Sequence, residues 1–562
     1  MREPTATGIA RARAAAARAA AAEALTVIRR RGPTQVQFWL IALGIGIAAG
    51  FAALFFRKGI AALQTALYGT DDMMLASVAG GLPWWWVLII PIGGGLTVGL
   101  ILDRFTPDGR VRAVADVIEG AALNEGRVER RAGLASAAAS LITLGTGGSS
   151  GREGPVVHLA AVLSTWVSNR IAASGVTGRD LLGCAVAGAV SASFNAPIAG
   201  AIFALEVVLR HFAVHAFAPI AIAAVAGTVI NRLEFGGVTE FMLPEEGGLA
   251  FYVELPAFMI LGLVSGLVAV ALMRAVILAE DFGNYIQRTT GLPRWLRPTL
   301  AGAVLGVMAI GFPHIIGVGY ETTSAALTGR IGLATAILFA IVKVVAVAVT
   351  MGGRMGGGMF SPALVVGSLT GLAFGLIATG ILPDVSGAET VYALAGMGAV
   401  AAAVLGAPIS TILIVFELTG DWQTGLAVMT AVSLSTAIAS HLVDRSFFLT
   451  QLERRGVHLA AGPQAYLAET IRLATILRPL GATRGAPEAR CREMMAEGTV
   501  LGEHQKLETA LRLFERTGAD FVPIVGQGGS EGAPKLLGAV FQTDALRAYA
   551  KALADTAAEE HS

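Results

Sequence analysis

Charge is scarce in this sequence. Only 14% of its 562 residues are Asp, Glu, Lys or Arg, where a soluble domain carries about a quarter. A chain this long with so few charges is built mostly for lipid. Its formal net charge of +1 leaves no basic surface of the kind that holds nucleic acid, which is excluded as a partner. Cysteine is nearly absent. Cys184 lies in an apolar segment and Cys491 in a polar one, so no disulfide framework is expected, and there is no CxxC or metal-type Cys/His spacing. The eight histidines form no HExxH, which excludes the common zinc protease. No nucleophile–base pair and no cofactor loop stands out, so the chain reads as a non-enzyme.

What fills the sequence is apolar residue and glycine. Hydrophobic residues make up 54%, the mean hydropathy is +0.67, and many of the 70 glycines lie inside apolar stretches. Membrane helices tolerate glycine because it lets backbones approach closely. It also permits helices that break partway through a bilayer. Residues 1–36 begin as an Ala/Arg segment that reads as a basic cytoplasmic helix ahead of the first span, with a transit peptide as the other compositional reading. Apolar spans follow near 37–56, 84–103, 216–230, 255–279, 297–312, 333–351 and 425–443. Trp84, Trp85 and Trp86 open one of them, as an interfacial belt does. Shorter pieces lie near 133–146, 155–170, 181–194, 198–210, 363–380, 391–405 and 408–418. Short, Gly/Pro-interrupted segments of this kind predict half-helices around a midplane site.

An internal repeat supports that reading. NAPIAGAIFALE at 195–206 and GAPISTILIVFE at 406–417 each carry Ala-Pro-Ile and a Glu nine residues after the proline. Each follows a small-residue run, CAVAGAVSASF or AGMGAVAAAVL, and upstream of each is a Gly-rich stretch ending in proline, GTGGSSGREGP at 145–155 or MGGRMGGGMFSP at 351–362. Two halves with matching broken segments mark a repeat-built channel or transporter. In GSSGREGP at 148–155 a Gly-rich loop opens a helix. Free backbone N–H groups and the helix dipole there make an anion site without a buried cation. Glu153 in that turn occupies the site when ionised and leaves it when protonated. A Walker A phosphate loop needs GxxxxGK[ST], and no such string occurs.

These motifs together resemble the CLC family of chloride channels and anion/proton exchangers. GREGP at 151–155 is similar to the family's gating-glutamate signature, GGMFSP at 357–362 to its Gly-x-Phe-x-Pro anion motif, and NAPIAGAIFALE to the helix that follows GREGP. The resemblance implies a homodimer of subunits, each with two inverted halves and its own ion path. It implies that Glu153 gates and that Gly151, Arg152, Gly154, Met359 and Phe360 line the anion site. Three positions depart from the family pattern. Arg112, in VRAVAD at 111–116, stands where the family has an anion-binding serine. It either faces the path and binds anions or pairs with Asp116 one turn on. Phe448 replaces a tyrosine whose hydroxyl touches the central anion. Val207 replaces the inward-facing glutamate of many exchangers, which tilts the reading toward a channel. Glu206 and Glu417 read as structural, pairing with neighbouring backbone.

Beyond residue 455 the composition turns polar. Residues 498–552 read as β-α-β-β-α and resemble a CBS module, with 456–497 as linker or degenerate first copy and 553–562 as tail. That resemblance allows an adenine nucleotide, with Asp544 in QTDALRA at the ribose position. The expected fold class is therefore an all-α polytopic membrane protein of two inverted repeats with a small α/β cytoplasmic domain. The expected function is chloride conduction in a bacterial inner membrane, with both termini cytoplasmic. Chloride/proton exchange is the first alternative, and a non-conducting CBS-regulated sensor the second.

Overall fold

The computed structural model describes residues 32–457 and 471–561 except 174, 213, 238–250, 384–385, 483 and 527–534, together with 26, 29, 459 and 468. Most of the basic N-terminal segment expected at 1–36 therefore lies outside the described residues. The chain divides into two compact units. The larger takes in the described residues up to Ala121, then Gly126–Leu209 and Phe217–Val457; the smaller takes in the described part of 458–562 with Ala122–Glu125 and Arg210–Ala216.

The larger unit is helical. Among the described residues seven helices are long and apolar enough to cross a bilayer: Gln35–Tyr68, Trp84–Phe105, Val214–Phe235, Val253–Thr290, Leu333–Gly352, Phe360–Ile381 and Trp422–Glu453. Shorter apolar helices lie between them at Pro197–Leu209, Leu296–Gly311, Glu389–Leu405 and Pro408–Thr419. This is the multi-pass membrane architecture expected, with one correction. The apolar segment expected near 297–312 forms the 16-residue helix Leu296–Gly311. The broken piece expected at 363–380 is a continuous 22-residue helix, Phe360–Ile381.

The glycines of Phe360–Ile381 explain the correction. Gly367, Gly371 and Gly375 recur every four residues and so form one stripe. A Cβ on Gly371 would lie 2.1 Å from the carbonyl oxygen of Tyr392, and one on Gly367 2.5 Å from that of Gly396. The stripe is where helix Glu389–Leu405 lies flush, not where the helix breaks. Pro362 falls in the first turn, where its missing N–H has no intrahelical acceptor to lose.

The two Ala-Pro-Ile helices cap each other. Pro197 and Pro408 each take the first helical position, leaving the next N–H groups without intrahelical acceptors. The Glu417 carboxylate accepts from Ile198 N at 3.0 Å and Ala199 N at 2.8 Å. In return Glu206 accepts from Ile409 N at 2.9 Å, Ser410 N at 2.8 Å and Ser410 Oγ at 2.5 Å. A negative charge at a helix N-terminus is also favoured by the helix dipole. Both glutamates are therefore structural, and they tie the first half of the chain to the second.

The smaller unit holds a four-stranded sheet in the order β1-β4-β3-β2, with β1 Arg478–Pro479, β2 Leu501–Gly502, β3 Phe521–Gly526 and β4 Lys535–Phe541. Strands β2 and β3 are parallel, because helix Leu507–Thr517 makes the crossover between them. Strands β3 and β4 are antiparallel, pairing Val522 with Val540. Leu507, Ala510, Leu513 and Phe514 recur at helical spacing and bury one face of the crossover helix against Val522, Ile524 and Val540. Helix Gln542–His561 completes the β-α-β-β-α order expected from residue 498 onward. The preceding stretch supplies β1, an edge strand on β4, and a nine-residue helix, Glu488–Ala496.

The mutual capping predicts that Glu206→Ala and Glu417→Ala each cost about 2 kcal/mol, the scale of hydrogen bonds to a charged acceptor. Thermal unfolding of the purified protein in detergent measures it. A fall of several degrees is expected for either variant, and an unchanged transition contradicts the capping role.

Candidate functional site

The site begins with two glycine loops that pair. Gly151 N donates to the carbonyl of Gly358 at 2.8 Å, and Gly358 N donates to that of Gly151 at 2.7 Å. This two-bond antiparallel bridge joins the first-half loop to the second-half loop. Each loop runs directly into a helix, Glu153–Ile171 and Phe360–Ile381, and neither helix has a side-chain N-cap. The first N–H groups of a helix lack intrahelical acceptors. The bridge thus brings two uncapped, partly positive helix ends together inside the protein, where residues 147–154 and 355–362 are all buried. Only glycine permits it. Gly357 sits at φ +117°, and a Cβ there would lie 2.0 Å from Ser150 Oγ. Neighbouring contacts hold the loops: Gly148 N donates to Thr143 O at 2.7 Å, Thr143 Oγ1 donates to Met355 O, and Ser149 N donates to Thr350 Oγ1 at 3.1 Å.

Glu153 is 2% exposed and turns its carboxylate toward the second helix. Ser361 Oγ lies 2.7 Å from both carboxylate oxygens. Oε2 also packs against Gly151, where a Cβ would be only 2.8 Å away. The Arg152 guanidinium is near, with Nε 3.9 Å from Oε1. It also donates to the Ser193 carbonyl at 3.2 Å and lies 5.1 Å from the centre of the Tyr320 ring.

A cavity of about 10 Å³ touches Glu153, Gly154, Met359, Phe360, Phe203 and Phe448. A wider one of about 320 Å³ shares Gly154, Met359 and Phe448 with it. Arg110, Arg288, Arg354, Arg454 and Arg455 line the wider cavity, with Glu280 and Asp281 as acids. Arg454 bonds Asp281, and Arg455 bonds Asp116 at 2.9 Å. A concave mouth with excess positive charge raises the local concentration of anions. A third cavity, of about 50 Å³, is lined by Arg152 together with Arg57, Asp71, Asp72 and Tyr320 among others.

Seven residues singled out from the sequence thus meet at one point: Gly151, Arg152, Glu153, Gly154, Met359, Phe360 and Phe448. Two do not. The Arg112 guanidinium lies 2.9 Å from Asp108, 3.4 Å from Glu129 and 3.8 Å from Asp116, and its backbone N–H donates to Ser136 Oγ at 2.8 Å. Its guanidinium is surrounded by carboxylates, and the nearest is one turn before it rather than after. Asp544 belongs to the smaller unit, where Arg478 holds both its oxygens, at 2.5 and 2.9 Å, while lying 4.3 Å from the centre of the Phe541 ring. Those hydrogen bonds hold the Asp544 carboxyl below its usual range. Val207 is 4% exposed, within the π-helical turn Ala204–Leu209.

Sequence reasoning passed over Ser361 and Lys343. Ser361 stands inside the Gly-Met-Phe-Ser-Pro motif, and its place in the first helical turn was the available signal. Lys343 is fully buried in helix Leu333–Gly352 and donates to the carbonyls of Ile315 and Gly317 at 3.1 and 3.2 Å.

Two halves that meet through uncapped helix ends, across a bilayer's thickness of apolar helices, define a multi-pass membrane protein that carries anions. Residues 94–440 match the family model described as voltage gated chloride channel, and the chain belongs to that family. It is 33% identical over 391 residues to the "Putative chloride channel protein ClcB-like" of Ralstonia nicotianae, covering 69% of this chain and 90% of that one. It is 26% identical to the H(+)/Cl(-) exchange transporter ClcA of Vibrio parahaemolyticus, covering 77% and 92%. Its fold is similar to the X-ray crystal structure of a slow cyanobacterial Cl-/H+ antiporter, with a TM-score of 0.63 and 21% identity, over 74% of this chain and 97% of that one.

The bridge predicts a contrast between two glycines. Gly357→Ala meets both the φ penalty and the Ser150 clash, so it should abolish anion flux and lower the unfolding temperature sharply. Gly154→Ala brings its Cβ only to 3.2 Å from the Gly358 Cα, and should leave a folded protein with slowed flux. Flux and thermal unfolding of the two variants side by side check this, and equal behaviour contradicts it.

Proposed function

We propose that this chain conducts chloride passively across the membrane and that Glu153 is the gate. The observation that carries the reading is the Glu153 carboxylate lying against the junction of two uncapped helix ends. Ionised, it occupies the place an anion would take. Protonated, it loses its attraction to the helix dipoles and swings away, and chloride enters. The arginine-lined cavity supplies anions to that point. The selective element is the backbone N–H of the two helix starts, with the Arg152 guanidinium, 3.9 Å from the carboxylate, beside them. Arg112, neutralised by its carboxylates, serves to fix the segment before the site.

Proton coupling is the second reading, favoured by relatives on both sides of the channel–exchanger division. Val207 weighs against it, since a buried valine cannot relay a proton from the far side. The protein would work as a homodimer in a bacterial inner membrane with its termini cytoplasmic. The β-α-β-β-α unit is CBS-like, and the Arg478–Asp544 pair favours a structural role for it, since a ribose would have to displace Arg478.

Purified protein in liposomes under a chloride gradient tests this. Chloride flux without uphill proton movement is expected, and Glu153→Gln should flatten its pH dependence. Proton movement coupled to chloride would make it an exchanger. Absence of flux would leave the sensor reading.

A further inference from the structure

We propose that the Ser361 hydroxyl is a shared donor of the anion path: it latches the Glu153 carboxylate in the closed state and passes to the anion that replaces it. The inference rests on the reading of Glu153 as gate.

Ser361 is the second residue of helix Phe360–Ile381 and is 2% exposed. Helical side chains lean toward the N-terminus, so its Oγ projects to the same end as the first-turn N–H groups, which have no intrahelical acceptor. There it lies 2.7 Å from each oxygen of Glu153. A hydroxyl has one proton to donate, and an ionised carboxylate only accepts. Whatever anion takes the carboxylate's place inherits that proton.

Phe448, which lines the small cavity with Glu153, has no hydroxyl to offer such an anion. In this chain the hydroxyl at the site comes from the second half's helix, one residue past Phe360. Its two uses oppose each other. Removing it loosens the gate and weakens the hold on the anion.

Chloride binding by calorimetry and flux in liposomes are measured for Glu153→Ala with and without Ser361→Ala. In the gateless background, loss of the hydroxyl should weaken chloride binding about tenfold, the scale of one hydrogen bond to a charged acceptor. Ser361→Thr, which keeps the hydroxyl, should restore it. With Glu153 present, Ser361→Ala should raise flux at a given pH and shift the pH profile. Should the alanine variant fail to fold, Ser361→Cys, a near-isosteric weak donor, takes its place. Equal chloride affinity with and without the hydroxyl in the gateless background overturns the proposal. A Glu153→Ala protein that keeps the wild-type pH profile overturns instead the gate reading beneath it.

Discussion

The pair of hydrogen bonds between Gly151 and Gly358 is the constraint on which the rest depends. Two loops from opposite halves of the chain exchange N–H and carbonyl there. The helices that follow must then begin side by side. Neither helix carries a side-chain cap, so their first N–H groups add to one region of partial positive charge. The glycines around the bridge exist for that approach, and the polar network of Thr143, Thr350 and Met355 holds the loops in it. The reciprocal capping of Glu206 and Glu417 repeats the logic elsewhere. Again one half completes the other's helix ends, but with carboxylates that stay put.

The difference between those two junctions separates structure from function. Glu206 and Glu417 each satisfy two backbone donors in fixed positions and leave nothing for a mobile ion. Glu153 lies at the start of its own helix and reaches toward the other, where the Ser361 hydroxyl and the Arg152 guanidinium meet it. Of the nearby full charges, Arg112 is neutralised by Asp108, Glu129 and Asp116, while Arg152 lies 3.9 Å from the Glu153 carboxylate and also bonds the Ser193 carbonyl. On the proposed reading, an anion that replaces the carboxylate meets the backbone dipoles of both helix starts with the Arg152 guanidinium beside them. The wider cavity is lined by five arginines and two acids, an excess of positive charge that on the same reading concentrates anions near the site.

Much of this was legible in the sequence because its causes are local. Apolar run length reports a span, and a Gly-rich loop ending in proline reports an uncapped helix start. The repeated AP…E order exposed the two halves and the structural status of their glutamates. The errors arose where the cause was tertiary. Gly367, Gly371 and Gly375 look like interruptions in one dimension, and only helix Glu389–Leu405 lying against them shows a packing stripe. Arg112 left two readings open because its nearest carboxylate, Asp108, lay outside the motif being compared. Ser361 went unremarked since its significance depends on Glu153, 208 residues away in the chain.

The central claim is that an anion and the Glu153 carboxylate compete for one place between the two helix starts. A crystal structure of Glu153→Gln grown in bromide tests it most directly through the anomalous signal. The account predicts a bromide peak within hydrogen-bonding reach of the Ser361 hydroxyl and the first N–H groups of the Glu153 and Phe360 helices. Bromide found at Arg112 or among the mouth arginines, with none at the junction, would contradict it.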